Sequence, residues 1–337
     1  VLIIANLVKA SGAGLLLLNV EPLIAYCLVG MGAAIYSPAK YGILPELTDH
    51  DSLVKANSWI EGSTIFAILL GMVVGAKVAD YSIQWALIGT IILFIASAMV
   101  TFLIPTQAIK KAESGSKIIH FTKQIGQFFT TSRSRFAILG ASLFWSVAAT
   151  IRVIIIAWAP VVLMSQNASE VAEITLFLAI GIIIGSALVP HLIPLEFLSR
   201  ARIPAYFMAF FIILLSFADN IWFARAALFF IGTAGGMFIV PINAALQELG
   251  KDSIGSGGAV AMQGFFQNVA MLIAVGCYTY TASIFVDGAI KSQGMNTIEA
   301  NLTTFTFTNS ALQILGVFVF LATLLISLRL PDTNQID

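Results

Sequence analysis

The sequence predicts an all-α integral membrane protein, two helical bundles in parallel repeat with about ten transmembrane helices. Three observations carry this. Of 337 residues, 59% are hydrophobic and only 10% charged, at a mean hydropathy of +0.96, whereas a soluble domain carries about 25% charge. Apolar runs near the roughly 20 residues that a spanning helix needs recur along the chain. A segment of the first bundle also returns, in the same direction, 202 residues later.

The expected spans are 1–18, 22–44, 56–76, 83–103, 136–163, 170–192, 203–217, 221–246, 257–286 and 302–328. The run at 203–217 is the shortest. Between the fourth and fifth spans lies one long polar interval, 104–135, with Lys110, Lys111, Lys117, Lys123, Arg133 and Arg135. Its part from Ile118 to Phe129 has the pattern of an amphipathic helix at a membrane surface. The expected domains are therefore an N-terminal bundle over 1–103, a basic linker over 104–135 and a C-terminal six-helix bundle over 136–337.

Charge orients the chain. With the linker in the cytoplasm, alternate loops place eleven Lys and Arg residues on that side and only Lys77 and Lys291 on the other, as the positive-inside rule requires. The long linker and the C-terminus are then cytoplasmic. The formal net charge is zero, so nothing points to nucleic acid. Cys27 and Cys277 stand in separate apolar segments and form neither a disulfide framework nor a CxxC motif. No motif implies a cofactor or a metal.

The repeat pairs "VGMGAAIYSPAKYGILPEL" (29–47) with "IGTAGGMFIVPINAALQEL" (231–249). Gly30 matches Gly232, Glu46-Leu47 matches Glu248-Leu249, and Pro38 matches Pro241 with one residue of slippage. Further on, Glu61 matches Gln263. Six spans separate the two copies, so the first bundle should also hold six. Four are visible. Val1 falls in mid-helix by its pattern, and two further spans are expected before it.

Ionisable residues inside spans are functional candidates by default. Arg152, in "SVAATIRVIIIAWAP", lies too deep to snorkel and suits a phosphate or carboxylate, which a guanidinium grips bidentately. The bland alternative is a structural ion pair. Lys40 lies near a span end between Pro38 and Pro45, each of which removes a backbone donor. Glu61 is about one turn inside the next span on the same side. Lys40 and Glu61 together read as a salt-bridged cytoplasmic gate. The alternatives are snorkelling for Lys40 and a favourable helix-start carboxylate for Glu61. Asn243 with Gln247, and Gln263 with Gln267 and Asn268, put amides on shared helix faces. They suit a headgroup cavity or plain interhelical hydrogen bonding. Lys9 and Arg225 read as snorkelling cations. Small-residue pairs, Gly71 with Gly75 and Gly181 with Gly185, read as close helix packing.

An enzyme reading rests on His191 and Glu196 in "HLIPLE", a faint acyl-transfer pattern. A headgroup-level histidine explains it more simply. In "TDHDS" (48–52), Asp51 or Ser52 capping the next helix explains the acids without a metal.

A six-helix unit repeated in parallel is the architecture of the major facilitator superfamily. Within it, "GAAIYSPAKYGILPELT" followed by "LVKANSWIEGSTIFAILLG" resembles the bacterial lysophospholipid transporters. The resemblance continues through "SLFWSVAATIRVIIIAWAPV", "GGMFIVPINAALQELGK" and "GSGGAVAMQGFFQN", and so covers most of the chain. It implies a flippase of the Gram-negative inner membrane. Its substrates would be lysophosphatidylethanolamine and lysophosphatidylglycerol, moved to the cytoplasmic leaflet by alternating access for reacylation by an acyltransferase partner. Lys40, Glu61 and Arg152 are the polar residues it carries over. The family's acidic residue and asparagine of the first span would precede Val1. Rival readings are a facilitator for a soluble organic anion or drug, a membrane-embedded acyl-transfer enzyme, and a scaffold that docks the acyltransferase on the basic linker.

Overall fold

The computed structural model describes residues 1–104, 126, 129, 131–163, 168–193, 195–252, 256–288, 290 and 297–328. Ten long helices fill these segments, with no strand among the described residues. They are α1 (Leu2–Leu17), α2 (Pro22–Gly42), α3 (His50–Tyr81), α4 (Ile83–Val100), α5 (Ser132–Val162), α6 (Ala168–Leu192), α7 (Arg202–Leu215), α8 (Ile221–Asp252), α9 (Ser256–Ala282) and α10 (Thr297–Ser327). Each expected span is a helix. Among the described residues nine helical segments are long and apolar enough to cross a membrane, and Leu2–Leu17 is a shorter apolar one. Water is absent from the bilayer core, so each spanning segment must satisfy its own backbone groups, which an α-helix does.

Several helices outrun their apolar windows. α3 begins at His50 and not at 56, and α8 continues to Asp252. Backbone hydrogen bonding propagates into the interfacial layer, whereas hydropathy marks only the part in hydrocarbon. The start of α3 at His50 also puts Asp51 and Ser52 inside its first turn, with Asp49 before the helix. The expected cap at Asp51 or Ser52 is therefore not where the helix starts. Most of the linker, including most of the expected amphipathic helix over 118–129, lies outside the described residues.

The chain forms two compact units. Unit 1 comprises Val1–Thr48, Ala67–Phe128 and Gln247–Gly264; unit 2 comprises Asp49–Phe66, Phe129–Leu246 and Phe265–Asp337.

In unit 1, α1 ends on Asn19, which adopts φ 57°. Asparagine tolerates this left-handed geometry better than other side chains. Val20 N–H then donates to Leu15 O and Asn19 N–H to Leu16 O, closing the helix in a Schellman motif. Pro22 starts α2 at its first position, where no intrahelical N–H is needed. The two helices pack through small residues. A Cβ on Gly12 would lie 2.8 Å from Ala25 O, and one on Gly32 2.8 Å from Ala5 O. Asn6, 1% exposed, donates to Ser97 Oγ at 3.0 Å and ties α1 to α4.

In unit 2, α5 buries Phe136, Ile151, Ile154, Ile155 and Trp158 at helical spacing. Its start is capped by Thr131, whose Oγ1 accepts from Ser134 N–H at 3.2 Å. α6 and α8 meet backbone to backbone. A Cβ on Gly181 would sit 2.1 Å from Phe229 O and one on Gly185 2.0 Å from Thr233 O. From the other side, a Cβ on Gly232 would sit 1.9 Å from Leu178 O and one on Gly236 2.4 Å from Ile182 O. The expected packing of Gly181 and Gly185 thus acquires its partners. Gly71 and Gly75 do not behave this way, since a Cβ on either meets nothing within 4 Å. The same spacing makes a seam only where another backbone approaches.

Gly232→Ala is expected to lower stability by about 1–3 kcal/mol through overpacking. Gly71→Ala should leave it unchanged or slightly raised, because alanine is the better helix former. Thermal melting in detergent checks both, and equal melting points would contradict the seam.

Candidate functional site

Arg152 stands about two thirds of the way along α5. One face of this helix is buried in unit 2. Arg152 lies on the other, with half-buried Trp145 and Ala149 and with Ile156, which is 60% exposed. Arg152 is exposed and makes no hydrogen bond or ion pair among the described residues. A guanidinium at such depth is tolerated only beside a polar partner or a water-lined space. It presents five donors in a planar fork, a geometry that fits a phosphate or carboxylate.

A separate cavity of about 800 Å³ opens between α5, α9 and α10. Ser146 and Thr150 of α5 line it with Tyr278 and Phe307. Both hydroxyls turn back to their own helix, Thr150 Oγ1 onto Ser146 O at 2.8 Å and Ser146 Oγ onto Leu143 O at 2.9 Å. Their polarity is thus used locally, and the space is apolar in effect. Ser146 and Thr150 sit about half a helical turn round from Arg152, so the cavity and the cation occupy different faces of α5.

Lys40 lies in the last turn of α2, two residues from its end, with Nζ 4.4 Å from the Tyr41 ring. Pro38 is accommodated inside α2, and Pro45 falls in the one-turn helix Leu44–Leu47 that follows. Lys9 does not snorkel. It sits mid-way along α1 with Nζ 3.9 Å from the Tyr36 ring centroid and 5.0 Å from that of Phe94. Such cation–π contacts are each worth about 0.5–2 kcal/mol and hold the ammonium inside unit 1. Arg225 stays near a helix start, as a headgroup-level cation should, and pairs with Glu173 at 3.4 Å.

Glu61 is 2% exposed, on an α3 stripe with Leu53, Asn57 and Ile65. It belongs to unit 2 and Lys40 to unit 1. Asn243 and Gln263 are 5% and 7% exposed, and Gln267 is half-buried. Asn243 and Gln247 fall in a stretch of α8, 238–247, in which every residue is buried. Neither of them, nor Gln263, is free of interactions. Asn243 is thus embedded in the packed part of α8, whereas Arg152 stands on an open face.

Sequence reasoning missed the interhelical polar pairs, of which one joins α5 to α10. There Trp158, fully buried, donates from Nε1 to Asn309 Oδ1 at 2.8 Å. The polar run "TFTFTNS" (304–310) inside an apolar span was the available signal.

The family model described as Major Facilitator Superfamily matches residues 1–275. The chain is 36% identical over 304 residues to a protein of Photorhabdus laumondii named Lysophospholipid transporter LplT, covering 89% of this chain and 76% of that protein. It is 37% identical over 307 residues to the Klebsiella pneumoniae protein of the same name, covering 89% and 77%. Among solved structures, the proton:xylose symporter XylE bound to 6-bromo-6-deoxy-D-glucose superposes with a TM-score of 0.67 at 15% identity, over 98% of this chain and 80% of that one. That likeness shows the fold alone.

Asn309→Ala strands the buried indole N–H of Trp158. The expected loss is about 1–2 kcal/mol, read as a lower melting temperature in detergent. Trp158→Phe with Asn309→Leu removes both partners and should recover part of that loss.

Proposed function

Because the chain belongs to the major facilitator superfamily, a family of multi-pass membrane transporters, we propose that it carries lysophospholipids by alternating access between two helical bundles. The observation that carries this is Arg152, a cation without a protein partner among the described residues on an open, otherwise apolar face. The relatives named lysophospholipid transporters support it. A lysophospholipid joins one phosphate to one acyl chain. The Arg152 fork takes the phosphate, and the apolar surface around it, including Trp145 and Ile156, takes the chain. Lysophosphatidylethanolamine and lysophosphatidylglycerol are the substrates of choice. Movement runs toward the cytoplasmic leaflet of the bacterial inner membrane, where an acyltransferase partner adds the second chain. The linker and the C-terminus face that side, following the cation asymmetry.

Lys40 and Glu61 serve as the cytoplasmic gate, a charge pair made and broken in each cycle. Asn243, Gln263 and Gln267 are proposed as further polar contacts for the headgroup during the transport cycle. The protein acts without covalent chemistry. His191 is exposed in the last turn of α6, at headgroup level, and no catalytic role is assigned to it.

Inward movement of labelled lysophosphatidylethanolamine in proteoliposomes tests the anchor. Arg152→Ala is expected to cut the rate at least tenfold. Arg152→Lys should keep only a fraction of it, because a point charge replaces a bidentate fork. No movement by folded wild type would return a soluble organic anion as the substrate.

The gate has a separate readout. In a background lacking Cys27 and Cys277, both exposed, cysteines are placed at the cytoplasmic mouth and probed with a maleimide. Lys40→Ala and Glu61→Gln should each raise labelling and slow transport. Unchanged labelling in both variants would sink the gate.

A further inference from the structure

A cleft of about 590 Å³ in unit 2 lies between the first half of α3 and the end of α6. Lys55, Ser58, Trp59 and Phe66 line it from α3, and Ile183 and His191 from α6. As the third and sixth spans of an alternating chain, the two helices run in opposite directions. Lys55 and Trp59 therefore share one end with His191, while Phe66 and Ile183 share the other. From Lys55 to Phe66 the wall is about 16 Å long at 1.5 Å per residue. One end is cationic and aromatic, and the other is apolar.

The polar end is unspent. Lys55 and His191 are exposed, and among the described residues neither has a hydrogen-bond or ion-pair partner. No acidic side chain lines the cleft among the described residues. Its outer wall is open, with Trp59 72% and Phe66 59% exposed. Lysine and tryptophan at a span end are the side chains that settle at the headgroup level.

We infer that this cleft holds a resident anionic diacyl phospholipid of the surrounding leaflet, with its phosphate at Lys55 and His191 and an acyl chain running toward Phe66. The open wall admits a lipid from the bilayer. With no acid among the described lining residues, an ammonium headgroup finds no counter-charge in them, so a phosphatidylglycerol-type anion is favoured over a zwitterion. The inference rests on the membrane-spanning assignment and not on the lysophospholipid substrate.

The full chain, reconstituted in phosphatidylcholine vesicles, is titrated with brominated phosphatidylglycerol or brominated phosphatidylcholine. The Trp59 contribution is the difference in quenching between wild type and Trp59→Phe. Brominated phosphatidylglycerol is expected to quench Trp59 at a several-fold lower mole fraction than brominated phosphatidylcholine. Lys55→Gln with His191→Gln should abolish that preference, and Lys55→Arg should retain it. Equal quenching by the two lipids, or a preference that survives the double variant, overturns the site. Displacement of phosphatidylglycerol by low mole fractions of lysophosphatidylethanolamine would also overturn it and give the cleft to the transported lipid. The main arms contain no lysophospholipid, so their failure leaves the transport reading standing.

Discussion

Unit 2 depends on the approach of two backbones. Gly181 and Gly185 of α6 and Gly232 and Gly236 of α8 present bare backbone to one another, and a single methyl group at any of them would collide with a carbonyl oxygen. In hydrocarbon there is little hydrophobic drive between helices, so close van der Waals contact must hold them. With α6 and α8 locked, the buried face of α5 has a wall to pack on. Phe136 meets Phe238 edge to face at a 6.4 Å centroid separation, and a Cβ on Gly140 would lie 2.7 Å from Ile242 Cδ1. That seating turns the opposite face of α5, with Arg152, outward.

The spans solve the cost of an internal charge in different ways. Lys9 is held against aromatic faces. Arg225 stays near a helix end, with Glu173 as its counter-ion and Trp222 beside it. Glu61 is buried and engaged. Arg152 alone among these combines depth with an open face and no partner among the described residues. The first three are accounted for by their surroundings. The fourth has no such account among the described residues.

The internal repeat preserves position more than chemistry. Pro38 and Pro241 both lie inside long helices. Gly30 faces open space, whereas its counterpart Gly232 is pressed against Leu178. Glu61 and Gln263 are both buried, one charged and one neutral. A duplicated helical unit can thus keep its prolines in place while its two copies diverge in packing and charge.

Composition and apolar runs determined much by themselves: the all-helical class, the ten apolar helices, the repeat, and Arg152 and Glu61 as charges within apolar segments. These are local properties, since a segment of about 20 apolar residues has few conformations open to it in a bilayer. Tertiary structure alone decided which residues face which neighbours. It separated the paired Gly181 and Gly185 from the unpaired Gly71 and Gly75, although both have the same spacing. It put Lys9 under two rings, joined Trp158 to Asn309 across 151 residues, and embedded Asn243 while leaving Arg152 open. Helical spacing fixes which side chains share a face, but which face meets another helix depends on partners far away in the chain.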